Sequence, residues 1–349
     1  METFQRRGGL TILPGFVDLH VHFREPGFSY KETIRSGSRA AKRGGYAAVC
    51  TMPNLNPAPD TLAHLQPQLD LIKRDAQIPV IPVGAITMGQ KGGGQLSDME
   101  QLAPYVCGFS DDGVGIQDGR LMREAMTRAK QISKPILSHC EDKSLPGNES
   151  EWAPLARDLE LAGQTGCQYH VCHVSAKESV DLIRRAKRDG VPVTAETAPH
   201  YLLLCQDDAR DDGRFKMNPP LRAKEDRAAL LEGILDGTID CVATDHAPHS
   251  AEEKSRGLAG SAFGIVGLET AFPVLYTKLV REGILPLEKL VALMSETPRR
   301  LLETWTGQSF EAAYEWDLNQ PYTIDPANFE SMGKATPFDG WEVYGYAVT

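Results

Sequence analysis

The sequence predicts an α/β fold, a (β/α)8 TIM-type barrel, from three observations. Eight short β-rich runs recur along the 349 residues, segments with helical periodicity lie between most of them, and polar side chains stand where the runs end. Because the runs are short and recur evenly, a closed barrel fits them better than a doubly wound open sheet, which is the alternative. The runs cover residues 15–23, 46–53, 78–87, 106–112, 135–140, 167–175, 191–200 and 240–249.

Four of the intervening segments carry helix signals. Residues 29–43 begin with a serine that can cap a helix, and residues 120–133 have apolar side chains on one face. Residues 176–190 and 224–237 each end at a glycine, which is a common stop for a helix. We therefore expect helices at these four positions.

The composition argues against several classes of function. A formal net charge of -10 is unfavourable for binding nucleic acid or an anionic membrane surface. No apolar stretch approaches the roughly 20 residues that cross a bilayer, and residues 1–7 do not resemble a signal sequence. The seven cysteines are scattered and odd in number, which favours reduced thiols over disulfides. We expect a cytoplasmic protein that acts on a small molecule.

Two histidines separated by one residue stand at the end of the first run. Alternate side chains of a strand point the same way, so His20 and His22 are expected on one face. Leu19, Val21 and Phe23 are then expected on the other face. Two imidazoles on one face suit a transition metal, although an H-x-H pair alone is a weak signal.

Other runs end on residues with similar chemistry. These are Asn54 after the second run, Asp111 and Asp112 at the fourth, His139 at the fifth, His173 at the sixth and Asp245 at the eighth. Because active-site groups of a barrel gather at the carboxyl ends of its strands, we expect these side chains to converge. Arg24 lies two residues beyond His22, so its planar guanidinium is expected on the same side, where it can bind a carboxylate.

These ligand positions resemble the amidohydrolase superfamily, and several motifs narrow the resemblance. They are DLHVHFREPG (18–27), TMPN (51–54), FSDDG (109–113), SHCED (138–142), MNPPLR (217–222) and ATDHAPH (243–249). The motifs are similar to those of bacterial dihydroorotases, of the type in which aspartate takes the place of a carboxylated lysine between two metals. The resemblance extends from about residue 13 to residue 302.

The resemblance implies two divalent cations per subunit, with zinc expected and manganese or cobalt not excluded. The implied metal ligands are His20, His22 and Asp245 at the first site, His139 and His173 at the second, and Asp112 as the bridge between them. Asp111 remains an alternative bridge, because the two adjacent aspartates leave the register open.

The implied reaction is the reversible cyclisation of N-carbamoyl-L-aspartate to L-dihydroorotate in pyrimidine synthesis. In the hydrolytic direction a metal-bound hydroxide would attack the ring amide, and Asp245 would be the catalytic proton carrier. Arg24 would bind the free carboxylate, with Asn54 and His249 as further donors. The expected substrate-binding residues are His22, Phe23, Arg24, Asn54, Asn218, His249, Phe263 and Gly264.

The resemblance also bears on domains and partners. We expect a metal-dependent barrel over residues 13–305, with residues 1–12 and 306–349 as parts of a small, incomplete β-sandwich. A homodimer is expected, and association with an aspartate transcarbamoylase is possible. Two other functions stay open: another cyclic amidohydrolase, such as a hydantoinase or allantoinase, or a non-catalytic scaffold for aspartate transcarbamoylase.

Overall fold

Each of the eight β-rich runs contains a strand in the computed structural model, which describes residues 4–348. The third run contains two short strands separated by Val83. The strands are β1 (Arg6–Arg7), β2 (Leu10–Pro14), β3 (Phe16–Val21), β4 (Tyr46–Thr51), β5 (Val80–Pro82), β6 (Gly84–Ala85), β7 (Phe109–Ser110), β8 (Ile136–Ser138), β9 (Tyr169–Val171), β10 (Val193–Thr197), β11 (Cys241–Val242), β12 (Ala313–Thr323) and β13 (Glu342–Val348).

Strands β3 to β11 form a closed parallel barrel. The order is β3-β4-β5 in one sheet and β6 to β11 in the other, and the chain runs directly from β5 into β6. The remaining seam is closed where His22 N–H donates to the His246 carbonyl at 2.8 Å, beside a parallel bridge from Val21 to His246. The predicted barrel is confirmed, and the open-sheet alternative is wrong because this bridge joins β3 to the segment that follows β11.

Helices surround this barrel, including one at each of the four predicted positions. The α-helices are α1 (Ile34–Arg43), α2 (Leu62–Asp75), α3 (Met99–Leu102), α4 (Gly119–Gln131), α5 (Glu149–Thr165), α6 (Lys177–Arg188), α7 (Pro199–Leu203), α8 (Lys224–Asp236), α9 (Ala251–Lys254), α10 (Gly257–Gly260), α11 (Ala271–Leu275), α12 (Leu287–Val291) and α13 (Thr297–Thr306). Helix α1 begins five residues later than Ser29, because Thr33 and Ser36 form the reciprocal cap. Helix α8 ends as expected, at Gly237 with φ 84°.

The buried apolar side chains form an inner and an outer cluster. The inner cluster draws on most of the barrel strands and includes Val17 and Leu19, whereas Val21 and Phe23 belong to the outer one. Leu19 was expected on the same face as Val21, and this is wrong. The pairing of β3 with β4 shifts register between Asp18 and Val21, which changes the phase of the alternation next to the first of the paired histidines.

The two ends of the chain meet in a separate antiparallel sheet of order β1-β2-β12-β13. Trp316 of β12 packs on Phe16 and Phe272, with ring centroids at 5.3 and 4.4 Å, and so joins this sheet to the barrel. Strand β2 continues to Pro14, past the boundary expected after residue 12. The division into two domains stays a prediction.

Two further expectations concern the whole chain. All seven cysteines lie within the described residues, and each is buried and free. None of the helices between residues 4 and 348 has the length and apolarity needed to cross a membrane.

Candidate active site and metal centre

The six predicted metal ligands converge at the carboxyl end of the barrel. Asp112 lies at the centre, with its Oδ1 3.4 Å from His20 Nε2 and 3.5 Å from His173 Nε2. The same oxygen is 3.6 Å from His139 Nδ1, whereas Oδ2 is 3.6 Å from His22 Nε2. One carboxylate therefore faces all four imidazoles.

Asp245 completes the cluster on the side of the paired histidines. Its Oδ1 is 3.0 Å from His22 Nε2 and 3.5 Å from His20 Nε2. On the opposite side, His139 Nδ1 and His173 Nε2 are 2.9 Å apart. The six side chains thus divide into two ligand groups that share Asp112.

The neighbouring Asp111 has a different role. Its carboxylate accepts hydrogen bonds from Ile86 N–H at 2.8 Å, from Thr87 N–H at 3.1 Å and from Gly92 N–H at 3.0 Å. The Thr87 hydroxyl donates to it as well. Asp111 therefore anchors the loop after β6, and its lone pairs are occupied away from the histidines.

The donor atoms fit divalent cations. Within residues 4–348, His20 Nε2 and Asp112 Oδ1 have no hydrogen-bond partner, although both are buried. Such unpaired buried atoms are costly unless another ligand satisfies them. Two sets of three residues each bring their donor atoms, one per residue, within 4.8 Å of one another. The first set is His20, His22 and Asp245, and the second is His20, Asp112 and His173. Mixed imidazole and carboxylate sets of this kind are typical of zinc and related metals.

Electrostatics keeps the two aspartates ionised, as metal ligands must be. Burial alone would raise the pKa of Asp112, but His20, His139 and His173 outweigh it and hold that pKa well below its ordinary value. Burial likewise opposes ionisation of Asp245, and the hydrogen bond to His22 together with nearby histidines lowers its pKa. For His22, burial is the main cause of a lowered pKa, which favours the neutral imidazole.

Two members of the cluster lie on unusual backbone. His173 has φ 36° and Asp245 has φ 49°, both in the left-handed region that non-glycine residues seldom occupy. Strain of this kind persists only where the surroundings hold it in place, and it is common at functional sites.

The sequence reasoning missed a buried carboxylate beneath the cluster. Glu196 of β10 is completely buried and lies 2.9 Å from His20 Nδ1 and 3.0 Å from His170 Nε2. Because Nδ1 faces Glu196, Nε2 is the nitrogen of His20 that is directed at the cluster. A carboxylate in the middle of a predicted strand run, residues 191–200, was the signal that could have identified it.

Glu141 was missed as well. Its Oε2 lies 3.1 Å from His139 Nε2 and accepts from the Asn218 amide at 3.1 Å. Burial opposes its ionisation, but His139 and then Asn218 and Lys143 lower the pKa of Glu141 to about 2. Its position two residues after His139, at the end of a strand, was the available signal.

A cavity of about 480 Å³ opens above the cluster, large enough for a small molecule. Five of the eight expected substrate-binding residues line it: His22, Asn54, Asn218, Phe263 and Gly264. Asn54 donates to the Asp112 carbonyl at 2.9 Å, while its buried Oδ1 has no partner in the described chain. The ring of Phe263 is 55% exposed, with Lys216 Nζ 4.3 Å from its centroid.

Arg24 and His249 lie together beside the lining residue Phe263, although neither of them lines the cavity itself. The Arg24 Nε donates to the Pro248 carbonyl at 3.3 Å, and an Nη is 3.4 Å from His249 Nε2. His249 donates from Nε2 to the Phe263 carbonyl at 2.7 Å, and its Nδ1 faces Lys31 Nζ at 3.3 Å. Burial first, then Arg24 and Lys31, lower its pKa to about 3.

Phe23 is not brought to the cavity. Its ring is buried in the outer cluster, and a Cβ added at Gly37 would lie 2.3 Å from it. Strand alternation turns Phe23 opposite to His22 and Arg24, so its side chain supports α1 and does not contact the cavity. The side chain of Phe23 therefore gives no support to the expected role in substrate binding, which stays a prediction.

The backbone at Phe263 and Gly264 is already partly engaged. Gly264 N–H donates to the Lys216 carbonyl at 2.9 Å, and Gly264 O accepts from Lys254 Nζ at 2.6 Å. Lys254 also donates to the Ala262 carbonyl at 2.7 Å. These bonds fix the segment as a rigid wall, because a buried ammonium group satisfies several carbonyls at once.

A parallel barrel with clustered histidines and aspartates at its carboxyl end defines the amidohydrolase class. Solved structures agree in fold: L-hydantoinase (dihydropyrimidinase) from Arthrobacter aurescens aligns with TM-score 0.87 and 25% identity, covering 98% of this chain and 84% of that one. D-hydantoinase (dihydropyrimidinase) from Thermus sp. aligns with TM-score 0.84 and 23% identity, covering 99% and 86%.

Sequence similarity identifies the family within this class. A family profile described as "Dihydro-orotase-like" matches residues 9–153. The dihydroorotase of Fusobacterium nucleatum is 49% identical over 97% of this chain and 85% of its own length. That of Staphylococcus epidermidis is 49% identical over 99% and 87%. The chain belongs to the dihydroorotase family.

Proposed function

We propose that this protein is a dihydroorotase, which interconverts N-carbamoyl-L-aspartate and L-dihydroorotate in pyrimidine synthesis. The family supports this reaction, and one observation in the site carries it. Arg24 is buried beside the cluster, and its guanidinium donates to the Pro248 carbonyl, while Asp245 and Asp112 act on its charge without a direct contact. A buried guanidinium that has no direct carboxylate partner among residues 4–348 is suited to a ligand that brings a carboxylate.

Zinc at two sites is part of the proposal. One ion would be held by His20, His22 and Asp245, and the other by His139 and His173. Asp112 would be a ligand of both ions. When bound, divalent cations supply Lewis acidity, which lowers the pKa of water at the site and polarises a carbonyl oxygen. The unpaired His20 Nε2 and Asp112 Oδ1 are the observation that supports occupancy.

The side chains account for positioning and proton transfer. Arg24 binds the carboxylate that dihydroorotate retains, and Asn54 and Asn218 offer amide groups to the ring from the cavity wall. Asp245, ionised and 3.0 Å from His22 Nε2, takes the proton of the attacking water and gives it to the ring nitrogen as the C–N bond breaks.

In the biosynthetic direction the steps reverse. The ureido nitrogen of N-carbamoyl-L-aspartate attacks its side-chain carboxylate, a C–N bond forms, and a C–O bond breaks with release of water. Two carboxylates become one, so each cyclisation consumes one proton. The ratio of dihydroorotate to N-carbamoyl-L-aspartate at equilibrium should therefore rise about tenfold for each unit decrease in pH near neutrality.

The test is an ultraviolet assay of dihydroorotate ring opening with the purified protein. We expect turnover that is lost on dialysis against a chelator and restored by zinc. Hydantoin serves as the second substrate, because it shares the cyclic amide but lacks the carboxylate that Arg24 would bind. Preferred turnover of hydantoin would favour a hydantoinase, and no turnover of either substrate by zinc-loaded protein would favour a scaffold.

Assembly and location stay predictions. We propose a cytoplasmic homodimer, supported by the free cysteines and by the family, with aspartate transcarbamoylase as a possible partner. Sedimentation of the protein alone and mixed with an aspartate transcarbamoylase tests both parts.

A further inference from the structure

A buried carboxylate outside the metal cluster joins three separate parts of the chain. Glu32 is 0% exposed and accepts hydrogen bonds from Met332 N–H at 3.1 Å and from the hydroxyls of Ser36 and Ser331. Its Oε2 also lies 3.4 Å from His246 Nε2. A carboxylate has about four lone-pair positions, and here all of them face donors.

His246 links Glu32 to the centre. Its Nδ1 accepts from Gly267 N–H at 3.2 Å, so the proton is on Nε2, which faces Glu32. Its carbonyl accepts from His22 N–H at 2.8 Å and so closes the barrel. His246 directly follows Asp245, whose φ of 49° needs support from its surroundings. The backbone of His246 thus holds two proposed ligands, Asp245 through the peptide bond and His22 through a hydrogen bond.

Two further donors to Glu32, Ser331 and Met332, come from a distant segment, residues 330–336, which we name the strap. Its N–H groups at Glu330 and Ser331 donate to the Glu269 carboxylate at 2.9 and 3.2 Å. A Cβ added at Gly333 would lie 2.7 Å from Pro248 Cβ, so the strap packs directly on the residue before His249. The strap therefore lies against the far side of the segment that carries Asp245.

We propose that Glu32 and Ser331 are positioning residues for the metal centre. The strap hydroxyl of Ser331 orients the Glu32 carboxylate, Glu32 orients the His246 ring, and His246 holds Asp245 and His22 at the spacing that two ligands of one ion require. The inference rests on the proposed metal centre, and its kinetic part rests also on the proposed reaction.

Deletion of one hydroxyl tests this inference, and the chain offers a matched control. Ser331→Ala removes the strap donor to Glu32, whereas Ser295→Ala removes another buried hydroxyl, which donates to the Gly15 carbonyl at 2.8 Å at the opposite end of the barrel. Ser331 is 1% and Ser295 0% exposed, so both variants lose one buried hydrogen bond. Glu32→Gln serves as a second, stronger variant of the same contact.

Cobalt affinity of the metal-free proteins, measured by competition with a chromogenic chelator, is the first readout. Ser331→Ala and Glu32→Gln should each weaken Co²⁺ binding roughly tenfold or more, as expected for residues that orient ligands, and Ser295→Ala should bind like the wild type. In the dihydroorotate assay, kcat of Ser331→Ala should fall by a similar factor while KM changes less.

The inference is overturned if Ser331→Ala and Glu32→Gln bind Co²⁺ as tightly as Ser295→Ala, whatever they do to the melting temperature. Failure of the proposed function is distinguished by the wild type: absence of dihydroorotate turnover counts against the proposed reaction, and the inference is judged on Co²⁺ affinity, with a wild type that binds no Co²⁺ overturning it.

Discussion

Glu196→Gln is the most direct test of how the barrel prepares His20 for a metal. Glu196 is completely buried, and its two oxygens lie 2.9 and 3.0 Å from nitrogens of His20 and His170. Although burial opposes ionisation, His170 and His20 lower the pKa of Glu196 to about 2, so the wild-type residue is charged at neutral pH. The substitution keeps the shape but removes this charge and replaces one acceptor oxygen with an NH₂ donor.

The expected loss follows from the contact that changes. A hydrogen bond to a charged group contributes about 1.5–3 kcal/mol, which corresponds to roughly 10- to 150-fold in an equilibrium constant. Loss of a carboxylate that orients a metal-binding histidine typically weakens metal affinity by about 10–100-fold. We therefore expect Glu196→Gln to weaken Zn²⁺ binding by one to two orders of magnitude, measured by chelator competition.

Asp158→Asn is the matched control. Asp158 is also a buried carboxylate, but it accepts from Arg157 at 2.7 Å and from the Tyr169 hydroxyl at 3.0 Å, and it contacts no proposed ligand. It should lower stability and leave Zn²⁺ affinity within about twofold. Equal Zn²⁺ affinity in Glu196→Gln and the wild type, or equal losses in both variants, would refute this reasoning.

Three further predictions have defined outcomes. Arg24→Met should lower kcat/KM for dihydroorotate about 10–100-fold in steady-state kinetics, because a charge-assisted contact to the substrate carboxylate is lost; an unchanged value would exclude that role. Asp112→Asn should abolish binding of both metals by elemental analysis, whereas Asp111→Asn should keep the metals and lower thermal stability; the reverse result would exchange their roles. Gly37→Ala would place a Cβ 2.3 Å from the neighbouring phenylalanine ring, and it should reduce the free energy of unfolding by about 1–3 kcal/mol in urea titration. Gly93→Ala, whose added Cβ would have no heavy atom within 4 Å, should leave that free energy unchanged.

The periodicity of the sequence was sufficient to predict the barrel. Strands buried on both faces read as short apolar runs, and the eight runs correspond to the eight positions of the barrel wall. The cluster was also predictable in outline, because strand ends of a barrel meet at one rim wherever they lie in the chain.

The local sequence pattern gave a wrong prediction where the side-chain direction depended on the register between two paired strands. Leu19 and Phe23 both alternate with the paired histidines in sequence, yet Leu19 lies in the inner cluster and Phe23 in the outer one. The shift in pairing between β3 and β4 that separates them depends on the partner strand, which the local sequence does not contain. The choice between Asp111 and Asp112 was open for a related reason, since the donors that occupy Asp111 come from the loop after β6.

The sequence by itself determined the fold class, the family and the ligand types, because these depend on residue identity and spacing along the chain. Only the tertiary structure decided which carboxylates are hydrogen-bond partners of the histidines. Glu196 is 176 residues from His20 in the sequence, and Glu32 is 214 residues from His246. Hydrogen bonds form over about 3 Å in space, whatever the separation in sequence, so these partnerships exist only once the barrel has closed.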